Sequence, residues 1–143
     1  MIRDAHNLLE RIRNIHAVIR DHVFAVCERS SFEDVSRVVA TGGGDTLFEI
    51  DRVSEEVLYE QFADVAHEWS CVLIAEGLGS DGQMVLPPGT EPDQAELRIL
   101  VDPIDGTRGL MYQKRPAWIL TGVAPNRGPA TCLADIELAI QTE

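Results

Sequence analysis

The sequence predicts an α+β chain in which two helices cover one face of a sheet. Apolar residues recur at three- and four-residue spacing through the first 28 residues, and a second such stripe runs from Leu58 to Trp69. The remainder of the chain is mainly short apolar runs bounded by Gly, Pro and polar residues, the pattern of strands. Helices first and strands afterwards is the order of an α+β domain, not of alternating βαβ units.

Ala5, Leu9, Ile12, Ile15, Ile19, Val23 and Val26 make the first stripe. Arg11, Arg13, Asn14, Arg20 and Asp21 fall between them, which predicts an amphipathic helix over about residues 3–28. Val35 to Thr41 reads as a strand, and Gly42-Gly43-Gly44 forces a turn after it. A second helix starts at Asp51, with Leu58, Phe62, Val65 and Trp69 as its apolar face. Cys71 to Ala75 is a short strand ending at Glu76-Gly77. Leu78 to Gln94, rich in Gly, Pro and polar residues, reads as a long loop. Leu97 to Val101, Ala117 to Ala124 and Thr131 to Ile140 read as three further strands, the last two joined through Pro125-Asn126-Arg127-Gly128-Pro129.

At 143 residues the chain has the length of one domain and enough apolar residues for a real core. Twelve basic against twenty-four acidic residues give a formal charge of −12. That argues against nucleic acid, whose binding rests on Lys and Arg neutralising phosphates. The acidity is concentrated: from Asp45 to Glu68 there are eight acids and one base, Arg52. Such a surface repels a phosphorylated substrate unless bound divalent cations reverse the local sign. No apolar stretch reaches the ~20 residues of a membrane helix, so no membrane role is expected. Arg3, Asp4, His6 and Asn7 interrupt any apolar signal-peptide core, and the cytoplasm is the expected location. Cys27, Cys71 and Cys132 form no C-x-x-C pair and read as buried or free thiols. His6, His16, His22 and His67 lack a partner at metal spacing and read as surface or internally satisfied residues.

The segment richest in chemistry is Asp102-Pro103-Ile104-Asp105-Gly106-Thr107, directly after the Leu97–Val101 run. Short acids three apart beyond a strand end can converge on one cation, and all-oxygen donors suit hard divalent ions. Pro103 restricts Asp102 to extended angles. Gly106 followed by a hydroxyl residue can turn backbone N–H groups toward a phosphate oxygen. The plain alternative is a tight turn, since Asp-Gly is a turn dipeptide and Asp a common helix cap.

This hexapeptide resembles the signature of the inositol monophosphatase family of magnesium-dependent sugar-phosphate phosphatases, a superfamily that includes fructose-1,6-bisphosphatase. The resemblance implies the N-terminal domain of the sugar phosphatase fold: two long helices packed on a mostly antiparallel sheet. It implies Mg²⁺, with Mn²⁺ as a substitute, held by Glu76, Asp102, Asp105 and the Ile104 main-chain carbonyl. By the same match Asp51 pairs with Thr107 to activate the attacking water, although Asp51 also suits a helix N-cap. Gly106 and Thr107 match the amides that cradle phosphate. Arg108 departs from the commoner family residue, and it either reaches the phosphate or is solvated. The family commonly shows two adjacent glutamates where this chain has Glu76-Gly77, and its upstream lysine has no counterpart in Val38-Val39-Ala40-Thr41-Gly42.

The resemblance covers nearly all of residues 1–143 but matches only the N-terminal half of family members. Their second domain, with a tryptophan–aspartate motif that supplies a further metal ligand, has no match here. The expected activity is hydrolysis of a phosphate monoester on a small polyol or sugar by the full-length protein, this portion alone being inactive. Fructose-1,6-bisphosphatase or 3′(2′),5′-bisphosphate nucleotidase activity, or a non-catalytic half that only binds metal, are the alternatives. Family members commonly pair, so a homodimer is compatible with the resemblance.

Overall fold

The computed structural model describes the backbone of residues 1–29, 38–42, 45–76, 78, 81–111 and 115–143, and their side chains except at 29, 38–42, 45–56 and 111. Helix α1 spans Ala5–Arg29. Strands β1 (Val38–Gly42) and β2 (Asp45–Phe48) pair antiparallel and lead directly into helix α2, Glu49–Val65. Strands β3 (Cys71–Ile74), β4 (Gln83–Leu86), β5 (Leu97–Asp105), β6 (Trp118–Pro125) and β7 (Leu138–Thr142) form a second sheet in the order β4-β3-β5-β6-β7. Its pairings are antiparallel except β3 with β5, which are parallel. A five-residue helix α3, Thr107–Met111, and 3₁₀ turns at Pro92–Gln94 and Leu133–Asp135 complete the described elements. The α+β architecture with helices packed on a mostly antiparallel sheet is therefore as the sequence predicts.

Three elements differ from that reading. The expected loop of residues 78–94 contains β4, whose Gln83-Met84-Val85-Leu86 run is too short to stand out between Gly82 and Pro87. The predicted strand at 131–140 is a strand only from Leu138. Ahead of it the Thr131 hydroxyl donates to the Gly128 carbonyl at 2.9 Å, and the Cys132 N–H donates to the Asp135 carboxylate at 2.9 Å. Local side-chain bonds of this kind compete with a ladder and win here. Helix α2 begins at Glu49 rather than Asp51, and Trp69 lies in the turn beyond its end. In the first strand, positions 35–37 and the turn residues Gly43 and Gly44 lie outside the described residues.

The core forms where the helices meet one face of the sheet. Leu8, Ile12, Ile15 and Ile19 of α1 are fully or almost fully buried, as are Leu58, Phe62 and Val65 of α2 and Leu73, Leu97 and Ile99 of the sheet. The α1 stripe is set one residue from the expected one, with Leu8 buried, Leu9 half-buried and Ala5 exposed. Trp69 is fully buried, its indole N–H donating to the Arg3 carbonyl at 2.9 Å. The Arg3 and Arg11 guanidinium carbons stand 5.4 and 5.7 Å from its ring centroid. Arg3 also pairs with Glu96, and Arg11 with Asp64 and Glu68. The pairs themselves are exposed and individually weak, but they hold both cations against an aromatic face.

His16 is the polar residue in the α1 stripe, and it is satisfied. Its two ring nitrogens lie 2.8 Å from the Thr121 hydroxyl of β6 and 2.8 Å from the Thr142 hydroxyl of β7. A neutral imidazole has one donor and one acceptor nitrogen, so each hydroxyl finds a complementary partner. Burial disfavours the charged ring and pushes its pKa down from 6.5 to about 4. The folded state thus excludes a proton that the unfolded chain accepts. Stability from this group is complete above pH 6.5 and is lost progressively as pH falls toward about 4. Urea unfolding across this window should show the native chain losing stability more steeply on acidification than His16→Asn. Parallel pH profiles would show that His16 does not titrate on unfolding.

Candidate metal and phosphate site

The hexapeptide does not follow a strand; most of it is strand. β5 continues to Asp105 because its pairing with β6 resumes after an irregularity: Asp102 opposes Leu120, and Asp105 opposes Trp118. Two residues, Pro103 and Ile104, therefore stand opposite the single residue Ile119, which is a β-bulge. In a regular strand positions three apart point to opposite faces. The extra residue cancels that alternation. Since Leu120 and Trp118 share a face, the residues opposite them, Asp102 and Asp105, share it too. Burial along β5 agrees: Asp102 and Asp105 are exposed, while Pro103 and Ile104 are consecutively buried. Both line an apolar hollow of ≈180 Å³ against Val23 and Phe24 of α1.

Hydrogen bonds within the segment fix its shape. The Ile104 N–H donates to an Asp102 carboxylate oxygen at 3.1 Å, closing a turn at the bulge. The Thr107 hydroxyl donates to the Ile104 carbonyl at 2.8 Å. That carbonyl keeps a second lone pair. Gly106 has φ +96°, and a Cβ there would meet the Pro116 carbonyl oxygen at 3.4 Å. Only glycine takes this turn without strain, and it is what allows α3 to start at Thr107. Arg108 is exposed, as is Arg115, while Lys114 lies outside the described residues.

Glu76 approaches from the neighbouring strand. β3 runs parallel to β5 with Ile74 opposite Leu100, so both strands end at the same side of the sheet. Two residues further each chain carries an acid, Glu76 and Asp102. The chain turns at this point: the Ala75 N–H bonds the Gly82 carbonyl, and the Leu78 N–H bonds the Ala75 carbonyl. Glu76 is exposed in that turn. Among the described residues no three His, Cys, Asp or Glu side chains gather as a metal group, so Glu76, Asp102 and Asp105 do not form one by themselves. The structure brings Asp102 and Asp105 to one face, while Glu76 lies two residues beyond the end of the adjacent strand β3. The Asp51 backbone lies in the first turn of α2, but its side chain is outside the described residues. The donor set of two carboxylates and a carbonyl is chemically suited to Mg²⁺, which commonly takes one or two protein carboxylates and retains several waters.

The three cysteines are free. Cys71 is buried, and burial pushes its thiol up to about 12, so it is inert at ordinary pH. No described helix is long and apolar enough to cross a membrane. The bulge itself was not foreseen from sequence; the signal available was the proline inside an otherwise strand-like run.

No family model matches the chain, and no curated protein matches it in sequence. Solved structures match in fold. The fructose-1,6-bisphosphatase of Leishmania major, in holo form, superposes with TM-score 0.67 at 16% identity, over 99% of this chain and 45% of its own. The extragenic suppressor protein suhB of Bartonella henselae gives 0.57 at 12% identity, over 91% and 44%. An inositol monophosphatase-fructose 1,6 bisphosphatase gives 0.57 at 23% identity, over 84% and 41%. The chain thus has the fold of inositol monophosphatase and fructose-1,6-bisphosphatase structures, and it spans less than half the length of each.

The turn at Gly106 is the part of the site most open to a stability test. Gly106→Ala should cost about 1–3 kcal/mol, from the strain of a left-handed backbone in an alanine. A urea midpoint equal to that of the parent chain would show that the turn does not require the glycine.

Proposed function

We propose that the protein containing these residues hydrolyses the phosphate monoester of a small polyol or sugar in a metal-dependent reaction. The observation that carries this reading is the bulge that puts Asp102 and Asp105 on one face, in a fold shared with sugar-phosphate phosphatases. In this reading Asp102, Asp105 and the Ile104 carbonyl hold Mg²⁺, or Mn²⁺ in its place, and Glu76 adds a ligand from the end of β3. Bound there, the cation neutralises phosphate charge and acidifies water. Thr107 would orient the attacking water and relay its proton once its hydroxyl turns from the Ile104 carbonyl, to which it donates here, toward the Asp51 carboxylate. The Gly106 and Thr107 amides hold the phosphate oxygens, and Arg108 adds a positive charge at the rim. Water would attack phosphorus directly: the new P–O bond forms as the ester P–O bond breaks, without a phosphoenzyme, and the departing alkoxide takes a proton from solvent water to leave as the alcohol. Phosphoryl transfer needs little covalent help, so positioning and charge neutralisation supply the rate.

A second reading applies to residues 1–143 taken alone. No three described side chains gather as a metal group, and the chain spans only 44–45% of the longer structures at its best coverage. Both observations favour a half that binds metal weakly and releases no phosphate. Substrate choice among inositol phosphates, fructose bisphosphate and 3′(2′),5′-bisphosphate nucleotides is then a property of the complete protein.

Asp102→Asn in the intact protein should lower Mg²⁺-dependent phosphate release about 100-fold or more, since it removes a ligand charge from the cation that stabilises the transition state. Phosphate release from a panel of these substrates, with and without chelator, checks it. Undiminished turnover by the variant would remove Asp102 from the metal site.

A further inference from the structure

The bulge is packed less fully than the rest of the chain. Ile104 stands outside the main core, in a satellite whose other members, Val23, Leu110 and Ala117, are only partly buried. The apolar hollow of ≈180 Å³ opens among these residues. Pro103, Ile104 and Ile119 line it from the sheet, Val23 and Phe24 from α1, and Leu110 from α3. Protein interiors leave few voids larger than a water molecule, because the lining of a void forfeits dispersion contacts. Water fills this one poorly. A held water needs about two to four polar partners. Among the described lining residues, polar side-chain groups belong to Arg20, Trp118 and Glu143. Arg20 and Glu143 are exposed, and Arg20 already pairs with Asp21 at 3.2 Å.

We propose that this hollow binds one small neutral molecule built on a single aromatic or heteroaromatic ring, and that the ring is an effector of the carboxylates across β5. Size sets the first limit. An apolar cavity of about 150 Å³ holds benzene, so ≈180 Å³ takes one lightly substituted ring. A sugar or nucleotide would leave its hydroxyls unpaired against such a lining. Charge sets the second. Arg20 and Glu143 bring one charge of each sign, which favours neither an anion nor a cation. Trp118 and Phe24 supply aromatic surface for edge or face contact, and Phe24 is 63% exposed without such a ring. Pro103 and Ile104 are the two bulge residues, and Asp102 and Thr107 bond to the Ile104 amide and carbonyl. A ring seated against their side chains holds the bulge in the arrangement that a cation also needs, so the two ligands favour each other. The binding site rests on the hollow alone; the coupling rests on the metal-site reading.

Fluorobenzene, uncharged and one ring in size, is the probe. Titrated into the intact protein with labelled Ile, Leu and Val methyls, it should shift the Val23, Ile104 and Leu110 resonances saturably. A Kd of about 1 mM or tighter is expected for so small a ligand. The core methyls of Leu8 and Ile99 should stay in place. Val23→Phe fills the hollow from α1 and should weaken binding about tenfold or more. Ala117→Leu fills it from the start of β6 and replaces the first variant if that one loses the native Leu8 and Ile99 shifts. Shifts that never saturate, shifts equally large at exposed Val18 and Leu133, or affinity unchanged in the filled variants overturn the proposal. Contacts showing another part of the intact chain already against Ile104 and Leu110 overturn it equally. With the probe saturating, Mg²⁺ should bind about threefold or more tightly than without it. Unchanged Mg²⁺ affinity overturns the effector role. Absence of Mg²⁺ binding under both conditions overturns the metal-site reading and the effector role with it, while the saturable methyl shifts still mark the ring site.

Discussion

Two residues of β5 fitted opposite one residue of β6 is the constraint on which the site depends. A strand delivers side chains alternately to its two faces, so acids three apart in an unbroken ladder would be separated by the sheet itself. The bulge at Pro103 and Ile104 removes that separation and still lets pairing resume at Asp105 opposite Trp118. Proline suits this position because it has no N–H to leave unpaired at an interrupted ladder. Burying Pro103 and Ile104 together toward α1 gives the irregularity an energetic reason to persist. The Asp102 carboxylate and the Thr107 hydroxyl then bond to the Ile104 amide and carbonyl, the polar groups that the bulge would otherwise strand. The same two side chains that carry the proposed chemistry therefore also shape the turn.

The bulge is held in place by the way α1 is fixed to the sheet. Its first half is anchored by Leu8, Ile12 and Ile15 and by the two arginines flanking Trp69. Halfway along, His16 ties it to β6 and β7 through two hydroxyls. A buried polar residue of this sort specifies register, because sliding the helix by one residue would strand the imidazole among apolar side chains. Val23, further along the same helix, packs against Ile104. A chain of packed residues thus runs from the N-terminal clamp at Trp69 to the bulge.

The fold class was legible because both helices are long enough for their apolar period to be unmistakable, and Leu58, Phe62, Val65 and Trp69 are all buried as their spacing implies. Boundaries were harder wherever a side chain competes with the backbone. The caps at Thr131 and Cys132 delay β7, and no apolar pattern encodes that. β4 escaped notice because four residues carry too little periodicity to outweigh flanking Gly and Pro. For the site, residue types pointed to Asp102 and Asp105, but their meeting on one face depends on register, which is a property of two strands together. Asp51 was assigned through its match alone, and its side chain lies outside the described residues.

Charge and apolar surface divide this chain in complementary ways. The dense acids between Asp45 and Glu68 lie in β2, in α2 and in the turn after it, and α2 packs its apolar side on the core face of the sheet. The opposite face carries Arg98 and Asp102 toward its two ends and little charge between them. A surface under selection only for solubility would spread its charges over every exposed face, since an exposed apolar strand face invites misassociation. Asp102 stands at the margin of that opposite face, lining a groove beside Leu100 and Leu120.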